Sequence, residues 1–457
     1  MSLRDHTSPT VDADASANDH RAGRGPPEPA ATRADPRFWF GIATAVALGA
    51  AVRFAYLLHG APEMPLSDGF TYHQSALRLA DGFGYTSAVG DVGAPLAHQP
   101  PGWVTLLAAV SKAGGRSWWA HQVTGLVIGL GVIVMAGLVG ARYAGRRVGI
   151  VAAMLAALYP GFWVTDVQIL SEPLALLISG LLMLVLADLW HRPSLTRAIV
   201  AGAILGALAL VRAEQLALLI LAVIPIVVLN RRVSVKRRVA CSAAAALATV
   251  LLLAPWAIYN LRRFEEPVLL STNLGPTLLT GNCESTYGAA LLGSYDNLCY
   301  TALILRNPGR DRSQLDIEAR STALANMRDN LGHLPSTVVA RHGRLLGLFR
   351  PAQTVGITAS WMGSATWPVW AWVASFWLLV PLAACGAVIL RRSRRFHWPL
   401  VAPIVITLLV VTVAFGEPRY HALADLGLIV LAAVALDHLA RRVAAPGSTM
   451  DQQAPTP

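Results

Sequence analysis

Ten apolar runs leave this chain few ways to fold. They lie near 38–58, 119–141, 148–165, 173–190, 197–211, 215–229, 239–257, 368–390, 398–415 and 421–439. Backbone groups in hydrocarbon must be satisfied inside helices or closed barrels, and a helix needs about 20 apolar residues to cross. The runs therefore predict an all-α polytopic membrane protein of about ten transmembrane helices. Only 14% of the 457 residues are charged, against about 25% in soluble domains. That excludes an ordinary cytosolic enzyme and a disordered protein. The first run is retained, since it is too deep and too long for a cleaved signal peptide.

The balance of charge, 37 basic against 26 acidic residues, is +11. A basic chain can bind nucleic acid or carry basic cytoplasmic loops, and the placement of the arginines decides. Arg142, Arg146 and Arg147 follow the second run, and His191, Arg192 and Arg197 the fourth. Arg231, Arg232, Lys236, Arg237 and Arg238 follow the sixth, Arg391, Arg392, Arg394 and Arg395 the eighth, and Arg441 and Arg442 the tenth. Every second loop is basic, which the positive-inside rule assigns to the cytoplasm. A multi-pass plasma-membrane protein with both termini inside follows, and nucleic acid is not a partner.

The expected organisation has a polar tail at 1–36, a transmembrane module at 37–257, an outer loop at 258–367, further helices at 368–442 and a tail at 443–457. The first outer loop, 59–118, contains a juxtamembrane stretch at 103–110. It also holds a helix after Asp68, with Ala76, Leu77 and Ala80 at helical spacing and a glycine stop at Gly82 and Gly84. Ser67 or Asp68 would cap that helix. Amphipathic pieces at 306–328 and 338–349 predict a small helical cap. The second piece, with Arg341, His342, Arg344 and Arg350, would lie on anionic headgroups. Cys283 and Cys299 fall in the outer loop, where a disulfide and two free thiols are both open. Cys241 and Cys385 read as apolar fillers.

Carboxylates near hydrocarbon are costly and often functional. Asp188, Asp425 and Asp437 stand in apolar runs. Asp68, Asp166, Glu172, Glu214 and Glu417 all approach the outer face. A carboxylate beside a hydroxyl can act as a general base. An arginine at that level can hold a phosphate bidentately, and Arg212, Arg262, Arg419 and His421 are the available cations. No P-loop, catalytic triad or dinucleotide fingerprint occurs, and the His residues lack metal-ligand spacing.

Five segments in order resemble the family 39 type of glycosyltransferase, in the GT-C superfamily. They are Asp68-Gly-Phe-Thr-Tyr72 with Leu79-Ala-Asp-Gly-Phe-Gly-Tyr85, Gln99-Pro-Pro-Gly102, and Leu170-Ser-Glu-Pro173. Then come Ala254-Pro-Trp-Ala-Ile-Tyr-Asn260 leading to Ser271-Thr-Asn-Leu-Gly275 and Thr280-Gly-Asn282, and finally Pro418-Arg-Tyr420. The resemblance implies a GT-C-like bundle with an extracytoplasmic active site. Such an enzyme moves a hexosyl or pentosyl unit, as in mannosyltransferase-like relatives, from a polyprenyl phosphate to an acceptor hydroxyl on a glycan, lipid or protein of the cell envelope.

By the same resemblance Asp68 is the catalytic base, with Glu172 and Asp166 orienting base or acceptor. Arg419 matches the position that holds the donor phosphate; Arg212, Arg262 and His421 are further candidate cations for it, and Tyr72, His98, Asn282 and Tyr420 are candidate substrate contacts. Relatives often carry two adjacent acids where this chain has Asp68 and Gly69, which argues against a paired-carboxylate or metal role there. No cofactor is required by the resemblance, and a divalent metal is the one candidate. Tyr259 stands where relatives often have arginine, so Arg262 or Arg263 must substitute or the contact is missing. The Ala- and Arg-rich usage is that of a high-GC actinobacterium and would make decaprenyl phosphate the carrier. Rival readings are a lipid-linked-sugar flippase or transporter and a non-catalytic partner with the same fold.

Overall fold

The structure, a computed structural model, describes residues 35–444 apart from 62–66, 89 and 289. The tails expected at 1–36 and 443–457 lie, but for their inner edges, outside the described residues. The N-terminal part runs α1 Pro36–His59, α2 Asp68–Ala80, α3 Pro101–Lys112, α4 Trp118–Ala144, α5 Arg146–Leu158, α6 Pro160–Asp166, α7 Glu172–His191 and α8 Leu195–Ala209. A tight turn, Ala213–Ala217, and a wide one, Leu219–Val223, lead to α9 Ile224–Val228 and α10 Val235–Leu261. The outer segment holds α11 Leu274–Gly281, α12 Glu284–Tyr287, α13 Asn297–Arg306, α14 Arg312–Asp329, α15 Leu334–Leu345 and α16 Pro351–Met362. Then follow α17 Thr366–Arg392, α18 Trp398–Val413, the tight turn Pro418–His421 and α19 Ala422–Val443. Among the described residues there is no strand, only an isolated bridge between Thr86 and Pro95.

Every apolar run of the sequence forms helix. Among the described residues six helices are long and apolar enough to cross a membrane, or seven if α5 and α6, bent by 55°, form one broken span. Leu195–Ala209, Ala213–Val228 and Trp398–Val413 are shorter apolar helices, below the usual ~20-residue span. The helix starts are written in the sequence. Ser117, Ser194 and Ser234 accept hydrogen bonds from the backbone N–H three residues on, as N-caps do. Pro36, Pro101, Pro160 and Pro351 occupy first helical positions, where a missing N–H costs nothing.

Small residues let the helices close on one another, as membrane packing requires. A Cβ on Gly149 of α5 would meet the Gly137 carbonyl of α4 at 2.5 Å, and one on Gly386 of α17 would meet the Leu431 carbonyl of α19 at 1.8 Å. The central element is α19, buried from Ala422 to Ala435.

One end of the bundle collects the arginine clusters. Arg146 bonds Asp35 at 3.2 Å, Arg142 bonds Asp188 at 2.7 Å, and Asp437 takes Arg441 at 2.7 Å and Arg147 at 3.4 Å. Asp188 and Asp437 thus serve ion pairs at that end. The opposite end carries α2, α3 and the cap helices. The stretch 103–110 forms most of α3, whose Trp103, Val104, Leu107 and Ala108 pack on Tyr72 and Ala76 of α2.

The cap is helical as expected, but its basic helix turns two of its arginines inward, while Val339 and Arg350 stay exposed. Arg341 and Arg344 are fully buried. Arg341 donates to the carbonyls of Thr412 and Gly281 at 2.7 and 2.8 Å, and Arg344 to those of Leu292 and the side chains of Thr354 and Gln353. They satisfy chain ends inside the protein instead of reaching headgroups. In α14, Leu315, Ala319 and Ala323 face inward, while Ile317 and Leu324 are exposed. Cys283 and Cys299 are bridged, with Cα atoms 6.4 Å apart.

Candidate active site

The site forms where three breaks in the bundle meet: the start of α2, the start of α7 and the tight turn before α19. Ser67 is extended, and the helix begins at Asp68. The turn before α7 is fixed by Trp103, whose Nε1 donates to the Ile169 carbonyl at 2.9 Å. Ile169 is fully buried at φ 56°, a left-handed conformation that costs a β-branched residue about 1–3 kcal/mol. The contacts around it hold that conformation and deliver Glu172 to the first position of α7. Tyr72 Oη donates to Ser171 Oγ at 3.2 Å, which ties α2 to the same turn.

Arg419 joins the pieces. Its Nη1 donates to Asp68 Oδ2 at 2.8 Å and its Nε to Glu172 Oε1. Its guanidinium lies over Trp361 of α16, 4.6 Å from the ring centre. Arg212, extended after α8, donates to the same Glu172 oxygen at 3.3 Å and to Glu214 at 2.7 Å. The two carboxylates differ in access: Glu172 is 1% exposed and Asp68 is 32% exposed. Glu172 is sealed and can only position arginines, while Asp68 can touch a substrate. Burial pushes the Asp68 carboxyl up, but Arg419, His98 and Arg212 outweigh it and hold the group below the usual carboxylate range. Asp68 is therefore ionised at neutral pH. Glu417 is 8% exposed with an unpartnered Oε1. Burial, with the repulsion of Asp68 and Glu172, outweighs Arg419 and raises its carboxyl to about 7.

Gly69 explains the missing second acid. A Cβ at that position would lie 2.3 Å from the Gln168 carbonyl oxygen. The backbone of the α7 turn occupies the place of a side chain, so no residue larger than glycine fits. The place between Asp68 and Glu172 is held by a guanidinium, and among the described residues no group of three or more His, Cys, Asp or Glu is set to hold a metal ion. The residues present do not fit a metal there.

Several expected residues lie elsewhere. Asp166 is separated from the cluster: its Oδ2 accepts from Arg53 Nε at 2.6 Å, and both side chains are sealed. Its carboxylate fills the slot left by Gly129 of α4. His421 bonds Asp425 at 2.8 Å and stacks on Phe376, with ring centres 3.9 Å apart, so it faces the bundle interior. Arg262 is exposed at the end of α10 and forms no ion pair among the described residues. Arg263 lies over Tyr259 at 3.9 Å and donates to the Tyr85 carbonyl at 2.8 Å. Neither pairs with Asp68 or Glu172, which take Arg419 and Arg212.

Asn282 is buried and spent. It donates to the Leu278 and Val413 carbonyls and accepts from Arg341 and Tyr287. Tyr420 is half-buried beside Phe415, and His98 lines a cavity next to α2. Trp361 was not legible as a site residue, since nothing in its local sequence marks it. Glu417 was legible as an outer-face acid but not as a member of this cluster.

No protein-family model matches the sequence, and no curated protein matches it. Solved structures do. The oligosaccharyltransferase of Archaeoglobus fulgidus, tethered to an acceptor peptide containing the NVT sequon, aligns with a TM-score of 0.53 at 13% identity over 90% of this chain and 50% of that one. The same protein in complex with Zn and sulfate gives 0.50 at 14% identity, over 88% and 49%. ArnT from Cupriavidus metallidurans bound to undecaprenyl phosphate gives 0.41 at 14% identity, over 89% of this chain and 79% of that one. The chain spans about half the length of the oligosaccharyltransferase it matches. At this identity the likeness concerns the fold alone, an all-α bundle that this chain shares with part of that oligosaccharyltransferase.

Proposed function

We propose that this chain is a membrane glycosyltransferase that moves a sugar from a polyprenyl phosphate to an acceptor hydroxyl on the extracytoplasmic side. The observation that carries the reading is Arg419, clamped between a sealed Glu172 and an open Asp68. Such an arrangement presents a fixed cation for a phosphate beside an ionised base. Asp68 takes the acceptor proton as the hydroxyl oxygen attacks the anomeric carbon. The new carbon–oxygen bond forms as the bond to phosphate breaks. Its electron pair leaves with the polyprenyl phosphate, whose charge rests on Arg419, with Arg212 beside it. One displacement inverts the anomeric centre.

The resting Asp68–Arg419 contact has a role in this scheme. A donor phosphate competes for the guanidinium, weakens its hold on Asp68 and so makes the carboxylate a stronger base. Base and donor site are coupled through one side chain. The fold it shares with an oligosaccharyltransferase that takes an acceptor peptide supports the reading at the level of architecture only. The segments that resemble family 39, and the arginine-rich loops at the opposite end, support an outward-facing site in cell-envelope glycan, glycolipid or glycoprotein synthesis.

The test is incorporation from labelled polyprenyl-phosphate sugars into membranes containing the protein, with products sorted into lipid, polysaccharide and protein. Wild type transfers label and Asp68→Asn does not. Equal incorporation by the variant overturns the assignment of Asp68.

A further inference from the structure

Next to Asp68 lies a cavity of about 250 Å³ between α2, the segment leading to α3, and the cap helices α13 and α14. Its polar wall includes Thr71, Gln74, Ser75, His98, Tyr300 and Arg312. Thr71 and Ser75 stand three and seven residues after Asp68, so all three share one helix face. The rise per residue puts the near end of the cavity about 5 Å along the axis from Asp68. Phe70 and Leu96 give it an apolar side as well, which suits a sugar ring, with one face of C–H bonds and a rim of hydroxyls.

Arg312 brings a cation to the wall of this cavity, whose His98 also feels the charges of Asp68 and Asp316. It is half-buried, among the described residues it forms no ion pair, and it shares the cavity wall with Tyr300. The nearby carboxylates are committed. Asp316 accepts from the Gly275 N–H at 2.6 Å and from Arg320. Asp311 accepts from the backbone of Ser313, Gln314 and Glu265. Of the other outer-end arginines, Arg263 and Arg344 are spent on carbonyls and Arg212, Arg310 and Arg320 on carboxylates, while Arg262, Arg306 and Arg328 are exposed to the outside and line no cavity with Arg312. A cation kept free of carboxylates and aimed into a polar cavity has an anion as its natural partner.

We infer that this cavity is the acceptor subsite, and that the acceptor sugar it takes carries an anionic group held by Arg312 and Tyr300, a carboxylate, phosphate or sulfate being the shared chemistry. The inference rests on the transferase reading for the word acceptor, but the binding site stands on its own residues.

Saturation-transfer NMR on the full chain in lipid nanodiscs tests it without needing turnover. The probes are methyl glucuronide, glucose 6-phosphate, glucose 6-sulfate and neutral methyl glucoside. At least one acidic sugar binds about tenfold more tightly than the neutral one, as expected for a hydrogen bond to a charged group, and the three acidic probes identify which anion fits. Arg312→Gln brings that probe to the neutral level, Arg312→Lys retains part of the preference, and Arg328→Gln, exposed near the far end of the same helix, leaves it unchanged. Equal binding of acidic and neutral probes, no binding by any probe, or an unchanged preference in Arg312→Gln overturns the inference. Asp68→Asn keeps the sugar binding while losing transfer. Failure of the transferase reading therefore shows in Asp68 and in turnover, and failure of this inference shows in Arg312.

Discussion

Replacing Gly69 by alanine separates this account from a generic view of the helix. In an exposed helix the change gains about 1 kcal/mol, since glycine is the poorer helix former. Here the added Cβ would sit 2.3 Å from the Gln168 carbonyl oxygen, about 1 Å inside ordinary contact. Neither partner is the flexible end of a side chain, so α2 or the α7 turn must move. Overpacking of this kind costs about 1–3 kcal/mol. The displacement also falls next to Asp68, whose 2.8 Å contact with Arg419 sets the reacting geometry. A shift of about 1 Å costs on the order of a hundredfold in rate. Gly69→Ala should lower the melting temperature of the purified protein and reduce sugar transfer about a hundredfold. Gly69→Asp, which restores the paired acids of the resembling family, should do worse. A Gly69→Ala protein that melts higher than wild type and transfers at its rate would refute the reasoning.

Arg53 and Asp166 form a sealed pair within the bundle. Removing one partner, as in Asp166→Asn, should destabilise by about 3–5 kcal/mol without changing the rate per folded molecule. Arg53→Met with Asp166→Leu should recover most of the loss, as read by thermal unfolding. Glu417, with its carboxyl raised to about 7, binds its proton more tightly folded than unfolded. Stability from this group is present below the unfolded value near 4.5 and is lost as pH rises through 7. Glu417→Gln should flatten that slope in melting curves taken between pH 5 and 8.

The architecture was largely legible because it rests on pattern. Apolar runs and arginine clusters act through the membrane and need no particular neighbour, so the helices and the basic end of the bundle follow from composition along the chain. The site was legible in part. Asp68, Glu172, Arg212 and Arg419 are charges at breaks between runs, and their convergence needs only that all the breaks lie at one end.

What failed depended on tertiary contacts. Asp166 and Glu172 stand six residues apart in one turn, yet one meets Arg53 and the other Arg419. The overlooked signal was Arg53 itself, a cation inside the first apolar run that must find a buried partner. Arg341 and Arg344 have the spacing of a surface helix, and only the fold reveals the carbonyls they serve. The bridge between Cys283 and Cys299 was one of two options until their Cα atoms were placed. Gly69 read as a departure from a family pattern, and its cause is a carbonyl contributed from 99 residues away.

The most direct test of the central claim follows the bond between sugar and phosphate. Purified protein in sealed vesicles is given a doubly labelled polyprenyl-phosphate sugar and a membrane extract as acceptor. The account predicts that wild type releases polyprenyl phosphate in step with sugar transfer, while folded Asp68→Asn and Arg419→Gln proteins do neither. Movement of the intact donor across the bilayer with the bond unbroken, or transfer undiminished in both variants, would contradict it.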